Sequence, residues 1–126
     1  MSRYVDPDVN ENDWRLFRSL FPVWRENYMK KLFKKYIELL ESDGDSVEKF
    51  HRLEKMMEKE YYKACFQVGM SRSKLWMNIA SLLSDGVITE DDLASFSLEM
   101  REKAAFVMRE TEKIRRKSGP SRPPLR

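Results

Sequence analysis

Cysteine, histidine and glycine are scarce in this chain. A single cysteine, Cys65, leaves no partner for an intrachain disulfide and no cysteine cluster for zinc. A single histidine, His51, follows Phe50 without Cys or Asp at ligand spacing, and no Ser or Cys stands near it in a nucleophile setting. Neither residue predicts catalysis. Cys65 reads as a small core filler and His51 as a helix-surface residue. Only four glycines and five prolines occur in 126 residues, which is too little turn chemistry for a sheet-rich fold. No run of 18 apolar residues is present, so no transmembrane helix is expected. Asp6, Asp8 and Glu11 near the start do not resemble a signal peptide, and the cytoplasm is the expected compartment.

Charge and large side chains are plentiful instead. Charged residues make up 36% of the chain and hydrophobic ones 41%, with 15 aromatics and eight methionines to fill a core. The net charge of +3 is unevenly placed. Residues 113–126 hold six basic residues and no acid; removing those six from 24 leaves 18 against 21 acidic ones. The body, residues 1–112, is therefore about −3, and attraction to nucleic acid would have to come from the tail or a local patch.

Periodicity predicts an all-α fold, a small bundle of four main helices near 13–42, 46–67, 72–84 and 90–114. Residues 1–12 read as a flexible arm, 13–114 as the helical domain, and 115–126 as a disordered, basic, proline-containing tail. Asn12 or Asp13 is expected to cap the first helix. Its seam is Trp14, Phe17, Phe21, Trp24 and Tyr28, resuming at Leu32, Tyr36, Leu39 and Leu40, and Pro22 should kink or break it. Lys30, Lys31, Lys34 and Lys35 form a basic cluster, read as a solvated face. Asp45 and Glu48 cap the second helix, whose buried stripe is predicted as Phe50, Leu53, Met57, Tyr61, Ala64 and Val68. Ser71 is expected to cap the third helix, with Leu75, Ile79, Leu82 and Leu83 on one face and Gly86 ending it. Thr89 with Asp92 reads as the capping box of the last helix, and Ile88 with Leu93 as its hydrophobic staple. That helix should bury Leu93, Phe96, Met100, Ala104 and Val107.

Two motifs invite a functional reading. Residues 85–89, Asp-Gly-Val-Ile-Thr, resemble the middle of an EF-hand loop. With Gly86 at position six, however, Leu83 occupies position three, where an oxygen is required, so no calcium site is expected. Residues 64–79 resemble a DNA-binding helix-turn-helix. Arg72, Ser73, Lys74 and Asn78 would face the groove, although polar Asn78 stands where that motif wants a core residue.

As a whole the chain resembles a group of short, soluble bacterial proteins of unknown function, some of which carry the label "multidrug transporter". The resemblance rests on Pro22-x-Trp24, Tyr28-Met29, Tyr36, Leu39-Leu40, Lys49-Phe50, Leu53, Met70-Ser71-Arg72-Ser73 and Leu82-Leu83. Asp85-Gly86-Val87-Ile88, Asp92-Leu93 and Phe96-Ser97 complete it, so that it spans roughly residues 13–107. It implies no activity, cofactor or site residue, and its members carry Trp where this chain has His51. A transporter label conflicts with the missing membrane span. The expectation is a non-enzymatic interaction or regulatory protein with a protein partner and no cofactor. The alternative is a DNA-binding regulator.

Overall fold

The computed structural model describes residues 9–118, and all of their regular structure is helical. Helix α1 spans Glu11–Glu41, α2 Ser46–Tyr61, α3 Ala64–Gln67, α4 Leu75–Ser84 and α5 Leu98–Ser118. Two 3-10 turns, Arg72–Lys74 and Glu90–Leu93, precede α4 and α5. The small all-α bundle expected from the sequence is the fold.

Helix α1 is one helix. It continues through Pro22, so of the kink or break expected there the break does not occur. Proline costs one ladder hydrogen bond, but Phe21 and Trp24 on either side are buried and hold the helix together. The cap is Asn10, not Asn12 or Asp13: its side-chain oxygen accepts from the N–H groups of Asn12 (2.9 Å) and Asp13 (3.0 Å). Asp13 is buried and does something else. Its carboxylate accepts from the backbone N–H (2.8 Å) and hydroxyl (2.6 Å) of Ser97. The hydroxyl oxygen of Ser97 in turn accepts from the N–H of Met100 (3.1 Å), capping α5.

This anchor explains why the expected helix 90–114 is two pieces. Thr89 and Asp92 pair as foreseen, the Asp92 carboxylate accepting from the Thr89 N–H at 2.8 Å, but they open only the short 3-10 turn. A turn follows at 94–96, and α5 starts afresh at Leu98. It runs through Ser118, so residues 115–118 belong to the helix; the rest of the expected tail, and residues 1–8 of the expected arm, lie outside the described residues.

Two further boundaries move. The expected helix 46–67 stops at Tyr61, where the Gln67 amide donates to the Tyr61 carbonyl (2.8 Å) and α3 begins after a two-residue break. Ser71 does not cap α4. Its hydroxyl pairs with that of Ser73 (3.1 Å), and its carbonyl accepts from the Lys74 N–H, closing the 3-10 turn.

The core joins the first half of α1 to α4, the 3-10 turn at 90–93 and α5. Phe17, Phe21, Trp24, Cys65, Leu75, Ile79, Leu82, Leu83, Ile88, Leu93, Phe96, Met100 and Ala104 form one buried cluster. Trp24 stacks on Phe96 with centroids 6.1 Å apart and meets Phe17 edge-on at 6.0 Å. Gly86, at φ +77, makes the left-handed turn after α4, and Val87 N–H bonds back to the Leu82 carbonyl. Leu83, at the third position of the EF-hand-like loop, is part of the core.

Apart from Tyr28, which packs against it, the second half of α1 and the whole of α2 lie outside that cluster. No residue of α2 is fully buried. Half of the stripe predicted as buried is not: Phe50 is 63%, Met57 53% and Tyr61 59% exposed, whereas Leu53 is half-buried and Val68 packs against the core. Leu40, counted with the α1 seam, is half exposed as well.

Candidate interaction surface

Helices α1 and α2 form an antiparallel hairpin whose register is fixed at both ends. Near the core, the Tyr28 hydroxyl donates to Glu60 Oε1 at 2.5 Å. At the turn, Lys49 Nζ donates to the carbonyls of Leu40 (3.2 Å) and Ser42. Residues whose numbers sum to roughly 89 thus lie level, Tyr36 beside Leu53 and Leu32 beside Met56.

At about 100° per residue, Leu32, Tyr36 and Leu39 point from α1 toward α2. Lys49, Leu53, Met56 and Glu60 point back; all of these are buried or half-buried. Phe33, Ile37 and Leu40 form a second stripe on α1, about a quarter turn further round. Phe50, Met57 and Tyr61 form a second stripe on α2, also about a quarter turn further round. Because α2 runs the other way, the two rotations are opposite when viewed from one end, and both stripes emerge on the same side of the hairpin. On α1 this side is nearly opposite the Phe17–Trp24 seam that faces the core. The result is one apolar face, two helices wide, with Phe33, Ile37 and Leu40 each 50–52% exposed. A shallow groove on its α2 half runs along Phe50, Leu53, Met57 and Tyr61, edged by Glu54 and Glu58. The opposite edge, on α1, carries Lys30 and Lys34, with Glu41 two turns further on beside the Ser42 turn, all exposed.

The half-buried polar groups at the base of the hairpin are engaged with one another. Lys63 Nζ donates to Glu60 Oε2 (3.1 Å) and lies 3.4 Å from the Tyr28 hydroxyl. Burial, and then the hydrogen bond to Glu60, push the Tyr28 phenol well above its ordinary range. Burial, and then the Glu60 carboxylate, raise the Cys65 thiol, which favours the inert protonated form. Solvent-exposed His51 sits edge-on to Phe50, with Nδ1 3.9 Å from Glu54. Among the described residues no group of three or more His, Cys, Asp or Glu could hold a metal ion, and no helix is long and apolar enough to cross a membrane.

The helix-turn-helix-like segment takes a different form from the motif. Its first helix is the four-residue α3, and Arg72, Ser73 and Lys74 lie in a 3-10 turn before α4 rather than on a helix face. The Asn78 amide donates to the Gly69 carbonyl at 2.9 Å and so latches the connection. Arg72 pairs with Glu11 of α1 at 3.1 Å, and Ser73 with Ser71. Lys74 is exposed. The four residues do cluster at one corner, but two of them hold the chain's own turn and a third is bound to α1.

Comparison with known proteins returns no match: no family model, no curated protein and no solved structure is similar to this chain.

Proposed function

We propose that this chain is a non-enzymatic helical interaction protein, regulatory in action, that docks a protein partner through the apolar face of the α1–α2 hairpin. The observation that carries this reading is the exposure of Phe50, Met57 and Tyr61 beside Phe33, Ile37 and Leu40 on one continuous face. Contiguous apolar surface rimmed by charge marks binding sites on soluble proteins, because leaving it in water is costly. Aromatic residues and Met are also the side chains most enriched at the centres of interfaces. A raised Cys65 thiol and a Tyr28–Glu60–Lys63 cluster closed on itself support a structural role for the polar groups beneath the hairpin. The reading places the chain in the cytoplasm, in keeping with a lone thiol.

The alternative, a DNA-binding regulator reading bases with Arg72, Ser73, Lys74 and Asn78, has weaker support. Asn78 and Arg72 would have to give up the contacts that hold the 68–74 connection. The two readings separate by site-specific photo-crosslinking in the native host, with the reactive side chain placed at Met57 or at Lys74. Protein adducts from position 57 are expected. DNA adducts from position 74, with none from 57, would overturn the proposal.

A further inference from the structure

Resting on the docking reading above, we infer that the occupant of the hairpin face is a second copy of this chain, forming a four-helix bundle whose two-fold axis runs parallel to the hairpins. The face is two helices wide and lacks the second layer that antiparallel helix pairs need to complete a bundle. With α2 about 24 Å long and the pair about 20 Å across, the flat footprint is roughly 500 Å² per protomer. Two such footprints total roughly 1,000 Å², the lower bound for a specific interface.

Charge selects both the partner and the orientation. Lys30 and Lys34 edge the face on α1, and Glu54 and Glu58 edge it on α2. A two-fold axis parallel to the helices lays α1 of one protomer over α2 of the other and keeps every residue at its own height. From the hairpin register, Lys30 lies level with residue 59 and Lys34 with residue 55. Lys30 then meets Glu58 of the second copy and Lys34 meets its Glu54, each within about one residue rise of 1.5 Å along the axis. Symmetry repeats both pairs on the other edge, so four cross-protomer ion pairs rim an interior built from both stripes. An axis running across the helices would instead lay α1 on α1 and α2 on α2 with heights reversed, which opposes the Lys30–Lys34 edge to the same edge of the copy. The one surface thus carries both signs, at matched heights, in the arrangement self-pairing requires.

The test uses sedimentation equilibrium of the full chain and of two double variants. The unaltered chain is expected to dimerise in the micromolar range. Lys30→Glu with Lys34→Glu makes both edges acidic; Glu54→Lys with Glu58→Lys makes both basic. Each variant alone should dimerise at least about tenfold more weakly, since every rim contact becomes a like-charge one. An equimolar mixture should recover the original affinity as a heterodimer. Variants that dimerise unchanged would overturn the parallel-axis arrangement. A chain that stays monomeric throughout the soluble range would overturn self-pairing. In that case protein adducts from position 57 leave the docking reading standing with another partner, and their absence overturns it too. Circular dichroism of the variants checks that these exposed substitutions leave the helices intact.

Discussion

Asp13 and Ser97 are 84 residues apart in sequence and joined by two hydrogen bonds, the carboxylate accepting from both the backbone N–H and the hydroxyl of the serine. The contact ties the first turn of α1 to the start of α5. It also orients the serine hydroxyl so that its oxygen can cap α5 through Met100.

Replacing Asp13 by Ala should therefore cost about 2–3 kcal/mol, because two charge-assisted bonds vanish and a half-buried N–H loses its acceptor. Ser97→Ala should cost less. A double-mutant cycle in urea should return a coupling of about 1 kcal/mol or more. Additive effects would mean the two side chains do not act on each other.

Trp24→Ala should be among the most damaging single changes, at roughly 3–5 kcal/mol. The indole is buried between Phe17 and Phe96 and is the main ring contact carried from α1 across to the α5 side of the core. A loss below about 1 kcal/mol would show that the ring is not enclosed.

Met57→Ser should behave in the opposite way. The side chain is half exposed, so the stability of the monomer should change by less than about 0.5 kcal/mol. Measuring it at a protein concentration below that of any association keeps folding apart from docking. A loss of several kcal/mol would place Met57 in a core.

Alkaline pH should weaken the fold in a way traceable to one thiol. The folded-state pKa of Cys65 is raised, by burial and then by Glu60. Above the ordinary thiol value of about 8.5 the unfolded chain gives up this proton while the native chain keeps it. The native state then binds more protons, and stability falls as pH rises. Tyr28, raised in the same direction, extends the decline above about pH 10. Unfolding free energies measured between about pH 7 and 10 should slope downward, and Cys65→Ala should flatten the first part of that slope. An unchanged slope in the variant would remove Cys65 as its source.

Asn78→Ala should cost about 0.5–1.5 kcal/mol through the lost bond to the Gly69 carbonyl. It should not alter duplex selection, because no sequence-specific binding is expected. Selection from a random-sequence duplex library at physiological salt checks the second half. A defined site that is enriched by the native chain and lost on Arg72→Ala would reverse the expectation.

Much of the architecture could be read from residue order, and the failures share one cause. Helical periodicity finds apolar faces wherever they occur, so the stripes on α1, α2, α4 and α5 were all legible. What covers a face is a tertiary fact. Phe50, Met57 and Tyr61 recur as regularly as Phe17, Phe21 and Trp24, yet only the second set lies in the buried core. Local capping grammar failed where a distant partner intervened: Thr89 and Asp92 have the pattern of a long helix start, but Asp13 captures Ser97 and restarts the chain at Leu98. The exposed apolar face did leave a trace in the sequence. Phe33 and Ile37 lie beside the expected seam and in line with its last member, Leu40, which gives the second half of α1 a wider apolar arc than one neighbour can cover. Lys30 and Lys34 were visible only as a solvated cluster, since their match to Glu54 and Glu58 appears once the hairpin register is known.

Leu32 and Leu39 are the only fully buried apolar residues in the outer half of α1, and α2 has none, so the hairpin and the core are unequal cooperative units. The outer end can fray from the Ser42 turn inward, with amide exchange far faster than in α4 and α5, until it reaches the latch between Tyr28 and Glu60. Anything that clamps the outer hairpin would slow that exchange without touching the core, and part of its binding energy would go into ordering helices that are only loosely held before it arrives.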